Sequence, residues 1–270
     1  MDLLYIFTNN YSILSFNNFN SIFMKNLIFS SLVFAIMLAG CSKDEAVAPT
    51  YKGAEQALGN GKVYSWTKFS TDNKPTSLGF TLTKGALDNL PHSVALVLSL
   101  PTEVVGKTPF DHIMIDYLHT GHEPPGTYDV PHFDMHFYIQ PLAERKAIPP
   151  YAVAPAKFDV LPPAGIIPSP YIRLPAGVPE MGVHWADPTS PELSGKGKFT
   201  ETLIYGSYDG KLTFIEPMVA YSFLKSSPNL TKNVPIPTKF AKAGYFPMKY
   251  SIKQVGDEII VSLEDLTMMQ

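Results

Sequence analysis

The sequence predicts a mainly β protein: a β-rich sandwich or barrel-like domain with short helices and a long proline-rich irregular arm. Three observations carry this reading. Apolar runs are of strand length and are bounded by Gly, Pro, Asn or Asp. Asp209-Gly210 and Gly256-Asp257 each stand between two such runs, a strong hairpin signal. The best helical segment is only Leu142–Ala147, and no heptad pattern or internal repeat accompanies it.

With 270 residues, 45% hydrophobic and 17% charged, the composition is that of a globular protein rather than a disordered one. The start of the chain reads differently from the rest. Residues 24–41 form a bacterial lipoprotein signal: Lys25 is the charged start, Leu27 to Leu38 the apolar run, and Leu38-Ala39-Gly40-Cys41 a lipobox-like end. The run is shorter than the roughly 20 residues that a membrane-spanning helix needs. Cys41 is therefore expected to carry lipid and anchor the protein to a membrane of the bacterial envelope, facing the periplasm or the outside. Met24 is the expected true start, with residues 1–23 a mis-assigned upstream segment. Residues 42–60 are expected to be a flexible tether, and its run Ser42-Lys43-Asp44-Glu45 resembles the surface-export signal of some Gram-negative lipoproteins. Residues 61–270 are expected to form a single β-rich domain.

Cys41 is the only cysteine, so a disulfide within the chain is impossible and stability must come from packing, metal or self-association. The formal net charge is −3 and stays so without residues 1–40, which hold only Asp2 and Lys25. No basic surface for nucleic acid is implied.

Strands are expected at Val63–Phe69, Phe80–Thr83 after a turn at Pro75–Gly79, Ser93–Leu100 as a buried strand, His112–Leu118, and residues 131–139. One helical turn is expected at Ala86–Leu90. Residues 149–191 contain eleven prolines yet are rich in Val, Ile, Leu, Phe and Tyr. A linker would be polar, so this stretch is expected to pack as an ordered arm, over the domain or against a neighbouring subunit. Two hairpins close the chain, Thr202–Gly206 with Lys211–Glu216, and Tyr250–Gln254 with Glu258–Leu263.

The chemistry concentrates in residues 119–137, which hold four of the seven histidines with Glu123, Asp129 and Asp134. In an extended strand His132, Asp134 and His136 share one face, and Phe133, Met135 and Phe137 share the other. Glu123-Pro124-Pro125-Gly126 can be neither helix nor central strand, and a turn there folds His119 and His122 back beside the strand. His184 is the natural remote partner. Glu216 stands in an apolar segment, where a carboxylate is costly unless it is paired or bound to metal. Imidazole and carboxylate on rigid strands suit a divalent transition metal: zinc first, with iron, manganese, nickel or copper as alternatives. The expected ligands are His122, His132, His136, His184 and Glu216, with His119 and Asp134 binding or orienting.

A catalytic version keeps an open coordination position and uses Glu123 as general base. Its activity would be that of a hydrolase, or of a cupin-like or dioxygenase-like enzyme. His132-x-Asp134 with His184 resembles the facial triad of the 2-oxoglutarate dioxygenases, but no arginine follows Arg173 to hold the oxoacid. Gly126 and His132, with Pro179-x-x-Gly182-x-His184, are faintly similar to the cupin motifs, but Asp134 replaces a histidine and the expected glutamate is absent. A third version is a structural or binding module without metal. Nucleophilic catalysis has no support, since no Gly-x-Ser-x-Gly elbow is present.

Gly121-His122-Glu123-Pro124, with Tyr128-Asp129-x-Pro131-His132-Phe133-Asp134-x-His136-Phe137-Tyr138, resembles the signature of a bacterial family of unknown function, some of whose members are under sigma-E and anti-sigma-E control. Gly182-x-His184-Trp185 and Tyr208-Asp209-Gly210 to Glu216-Pro217 are similar to its later blocks. The resemblance implies a β-rich domain that assembles into a homo-oligomer, and it supplies no reaction.

Overall fold

Alternation of apolar and polar side chains along short runs places one face of each strand in a core, and the computed structural model shows where those faces meet. It describes residues 47–270, which fall within one compact unit, Glu45–Gln270. The upstream segment, the signal, Cys41 and the start of the tether lie outside the described residues.

In chain order the strands are β1 (Thr50–Lys52), β2 (Gln56–Leu58), β3 (Gly61–Phe69), β4 (Pro75–Leu82), β5 (Ser93–Ser99), β6 (His112–Leu118), β7 (His132–Tyr138) and β8 (Ile172–Arg173). Then come β9 (Val183–Ala186), β10 (Glu201–Tyr208), β11 (Lys211–Ala220), β12 (Asn229–Asn233), β13 (Gly244–Phe246), β14 (Lys249–Val255), β15 (Glu258–Glu264) and β16 (Thr267–Met269). Among the described residues the three α-helices are short: α1 (Leu142–Lys146), α2 (Pro155–Phe158) and α3 (Tyr221–Leu224). The protein is mainly β, as the sequence predicts.

Two antiparallel seven-stranded sheets carry the fold. The first runs β1-β3-β4-β15-β14-β12, with β2 also on β3; the second runs β5-β6-β7-β11-β10-β9-β8. One core joins them: Phe80, Leu82, Ile252 and Val261 of the first sheet cluster with Ile113, Ile115, Phe133, Met135, Phe137 and Ile215 of the second. Of the two architectures expected, the sandwich is the one formed. The opposite face of the second sheet is covered as well. Met114, Tyr138, Phe214 and Met218 pack there with Tyr128, Phe199 and, from the proline-rich stretch, Leu174 and Met181.

Four elements differ from the sequence reading. Residues 50–52 and 56–58, expected as tether, are strands, because Tyr51 packs edge-on against Phe69 and the Gln56 amide donates to Val97 O. Pro75–Gly79, expected as a turn, lies in β4: Pro75 is its first residue, where no donor is needed, and the turn falls earlier, between Ser70 and Lys74. Ser93–Ser99 is not a buried strand but the half-buried edge of the second sheet, paired only with β6. β11 does not stop at Glu216; it passes through Pro217 to Ala220, and the ladder to β7 lapses between Ile215↔Phe137 and Met218↔Asp134, beside the missing proline N–H.

Candidate metal centre

All seven residues of β7 are buried, because both faces of this strand are covered. Phe133, Met135 and Phe137 enter the sandwich core, so His132, Asp134 and His136 must face the other way. Register then decides what stands beside them. Asp116 of β6 lies directly opposite Asp134, and Met114 opposite His136. From the other side β11 brings Glu216 to His136.

Two groups complete the layer from farther away. Gly121, at φ 67, turns the chain after β6, and His122 N–H donates to Tyr128 O, which folds the His122 ring over β7. A Cβ on Gly121 would lie 2.0 Å from Tyr128 O, so no other residue closes this loop. His184 sits on β9, separated from β11 by β10. Strands two apart stand roughly 10 Å from each other, so the intervening residue must leave room. That residue is Gly206, opposite both His184 and Phe214. The Phe214 ring occupies the space a side chain would take, 2.2 Å from an ideal Cβ.

Six side chains thereby form two trios, His122–His132–Asp134 and His136–His184–Glu216, and within each the ligand atoms lie within 4.8 Å of one another. In the first, His132 Nε2 is 3.2 Å from Asp134 Oδ1 and His122 Nε2 is 3.5 Å from Asp134 Oδ2. In the second, Glu216 Oε2 is 3.5 Å from His136 Nε2 and 3.8 Å from His184 Nε2. Ligands about 2.0–2.1 Å from a tetrahedral ion stand about 3.3 Å from one another, so these are spacings of ligands around an ion.

The other ring nitrogens fix the tautomers of the first trio. His132 Nδ1 donates to Val130 O at 2.7 Å and His122 Nδ1 to Glu123 O at 2.6 Å. A carbonyl only accepts, so each Nδ1 carries a proton and each Nε2 is the nitrogen left facing Asp134, as in metal-ligating histidines. Buried atoms without a hydrogen-bond partner converge on the same layer: His132 Nε2, Asp134 Oδ1, both ring nitrogens of His136, Glu216 Oε2 and Asp116 Oδ2. Such atoms are expensive to bury, and a cation among them would satisfy them together. These side chains are positioned to hold a metal ion.

Burial governs their protonation. It lowers His136 to about 3 and His184 to about 4, so both rings are neutral and ready to ligate. It raises Glu216 well above the ordinary carboxylate range, helped by the charges of Asp134 and Asp116. Asp116 is pushed up to about 7 by burial and then by Asp134. For Asp134 burial acts upward, but His122 and His132 outweigh it and hold the carboxyl well below its usual value. His122 is raised, because Asp134 outweighs the effect of burial.

Not every expected residue joins the centre. His119 lies outside both trios: its Nδ1 meets the Tyr117 hydroxyl at 3.1 Å and its ring stands 5.5 Å from that of His92. Glu123 is exposed and lies outside both trios, and its backbone oxygen accepts from His122 Nδ1. The facial triad of His132, Asp134 and His184 is not formed, since His184 joins His136 and Glu216 instead. Asp116, missed in the sequence, had one signal: it is the only charge inside the run Ile113 to Leu118.

Only the His122 and His184 side chains are appreciably exposed, at 35% and 18%, so solvent reaches the trios past these two rings. Cavities of about 420 and 440 Å³ lie elsewhere, and neither is lined by a residue of either trio.

Fold and site together define an antiparallel β-sandwich protein with paired histidine–carboxylate trios on the outer face of one sheet. A family model described as TTHB210-like, hypothetical protein TTHB210, matches residues 70–117. The match runs from the turn before β4 to β6 and includes Asp116, but none of the six trio residues. No curated protein and no solved structure matches the chain.

Proposed function

We propose that this chain is a lipid-anchored, exported protein of the bacterial envelope that binds a divalent transition metal, zinc first among them, in the histidine–carboxylate layer behind β7. The observation that carries the reading is chemical. Imidazole nitrogens and carboxylate oxygens, buried and without partners, lie at ligand spacing on rigid strands. Zinc fits because its sites combine neutral imidazole with carboxylate.

A second reading, a metal-dependent enzyme, is favoured by composition. Each trio is two histidines and one carboxylate, a set found in hydrolytic zinc sites and non-haem iron sites that keep a position open. A bound ion would polarise water or a small substrate there, while the histidines and carboxylate hold it in place.

Self-association belongs to the same proposal. Val153, Leu161 and Ile172 of the proline-rich stretch are 72%, 57% and 48% exposed, apolar surface that a second copy would cover. The resemblance of its motifs to a family with some members under sigma-E and anti-sigma-E control extends the proposal to regulation, and loss of the anti-sigma factor should then raise the transcript.

The test is elemental analysis of the full chain, purified in detergent without a histidine tag, beside a His132→Ala/His136→Ala double variant. Near-stoichiometric metal that is lost in the variant supports metal binding. Absence of metal from both, even after incubation with zinc, manganese or iron(II), refutes it and leaves a structural module. Steady turnover by the loaded chain, absent from the variant, would select the enzymatic reading.

A further inference from the structure

Where β7 runs out and the β10–β11 hairpin turns, a cavity of about 420 Å³ lies at one end of the second sheet, lined by none of the trio residues. We propose that this cavity binds an amphiphile of the fatty-acid class, one apolar chain bearing one carboxylate, a function independent of the metal centre.

Segments distant in the chain build the cavity. Ile139 and Gln140 follow β7, Leu212 stands at the start of β11, Ile166 comes from the proline-rich stretch, and Phe240 and Phe246 come from β13 and the loop before it. Backbone hydrogen bonds tie these segments to one another. Ile139 N–H donates to Thr213 O at 2.8 Å, Lys239 N–H to Gly165 O at 3.1 Å, and Asp209 N–H to Lys157 O at 3.1 Å. The rings of Phe240 and Phe246 stand 4.5 Å apart, centre to centre. The cavity is thus preformed, and its volume falls near the lower end of the roughly 300–1,000 Å³ of small-molecule pockets. That size suits one short chain rather than the paired chains of a membrane lipid.

Apolar walls select an apolar body, and the charges around them select its head. Lys157, Lys211, Lys239 and Lys242 line the cavity against only two carboxylates, Glu144 and Asp209. Among the described residues only Lys157 of these lysines makes an ion pair, with Asp209 at 3.9 Å. All four lysines are exposed. A lysine in such a place lays its stem along apolar surface and keeps its ammonium in water, which gathers positive charge at the mouth. The chain as a whole carries −3, so this local excess of lysine runs against its average. A carboxylate at the mouth is attracted by several ammoniums while its chain leaves water for the walls.

Gln140 adds one polar point to the lining. Its Oε1 is buried and has no hydrogen-bond partner, a costly state for an amide oxygen. An amide oxygen accepts, so a water that enters with the head of the occupant would satisfy it.

The test uses the full chain in phospholipid nanodiscs, because a detergent is itself an amphiphile, with empty discs as the partition blank. Carboxyl-labelled decanoate is titrated by carbon NMR, and decanol and decyltrimethylammonium serve as uncharged and cationic competitors. Expected are saturable binding of one decanoate per chain above the blank, and at least about tenfold weaker binding of both competitors. Lys239→Glu/Lys242→Glu should weaken decanoate at least about tenfold and leave decanol unchanged. Ala147→Trp, which puts a ring into the cavity from an exposed position, should weaken both. Circular dichroism establishes that the variants fold; should either misfold, the preference of the parent chain among the three ligands decides. Decanoate no higher than the blank, equal binding of all three ligands, or full affinity in the folded charge-reversed chain overturns the proposal.

Discussion

His132 concentrates the logic of the site in one side chain. Its backbone position on β7 faces it away from the sandwich core, Val130 O fixes its proton on Nδ1, and Nε2 is left without a partner at 0% exposure. His132→Ala should therefore weaken metal binding by more than the roughly 100-fold lost when only a supporting hydrogen bond is removed, a difference read by titration against a competing chelator. Protonation makes a second prediction. In the metal-free fold Asp116, at about 7, Glu216, raised by burial, and His122, raised by Asp134 against burial, hold protons that a cation must displace. His136 and His184, lowered to about 3 and 4, hold none near neutrality. Raised folded-state values mean that acid favours the protonated, metal-free form. Affinity should thus fall as pH drops below about 7, by up to about tenfold per unit for each proton displaced, and more steeply once the two histidines begin to titrate near 4. Calorimetry in buffers of different ionisation enthalpy counts the released protons; a count of zero at pH 6 would contradict this account.

At the level of elements, β7 works with both faces, and the two faces separate stability from binding. Phe137 is buried in the sandwich core, so Phe137→Ala should cost about 3–5 kcal/mol in denaturant melts whether or not metal is present. Gly206 sets the reach of His184 across β10. Gly206→Val would collide with the Phe214 ring, and the expected result is loss of His184 from the second trio. It should appear as weakened metal binding in a chain that still melts cooperatively. The sequence made β7 legible because period-two alternation of His132, Asp134 and His136 is local. The hairpin around Asp209-Gly210 was legible for the same reason, and it forms β10 and β11. What was not legible depends on register between strands distant in the chain. Asp116 enters only because β6 aligns it with Asp134, and His184 pairs with Glu216 rather than Asp134 because β9 lies beyond β10. The strand expected over Lys211–Glu216 continues through Pro217, where the β7 ladder lapses. The exposure of Glu123 was likewise not legible, since residue type alone does not reveal it.

On the scale of the whole molecule, one sheet serves as support and the other as a platform covered by loop and arm. This division lets a chain without a disulfide bury His132, Asp134, His136 and Glu216 among apolar side chains. The proposed lipid anchor predicts that Cys41→Ser abolishes incorporation of labelled fatty acid and moves the protein from the membrane to the soluble fraction. The proposed self-association predicts that Leu161→Glu lowers the mass seen by light scattering without lowering metal content, because Leu161 is exposed and lies in neither trio. The central claim, that the layer behind β7 holds metal, is tested most directly by crystals of the loaded chain measured at the metal absorption edge. Anomalous peaks between His122, His132 and Asp134 and between His136, His184 and Glu216 are the predicted result. Density maps with these side chains ordered and no anomalous peak among them would contradict it.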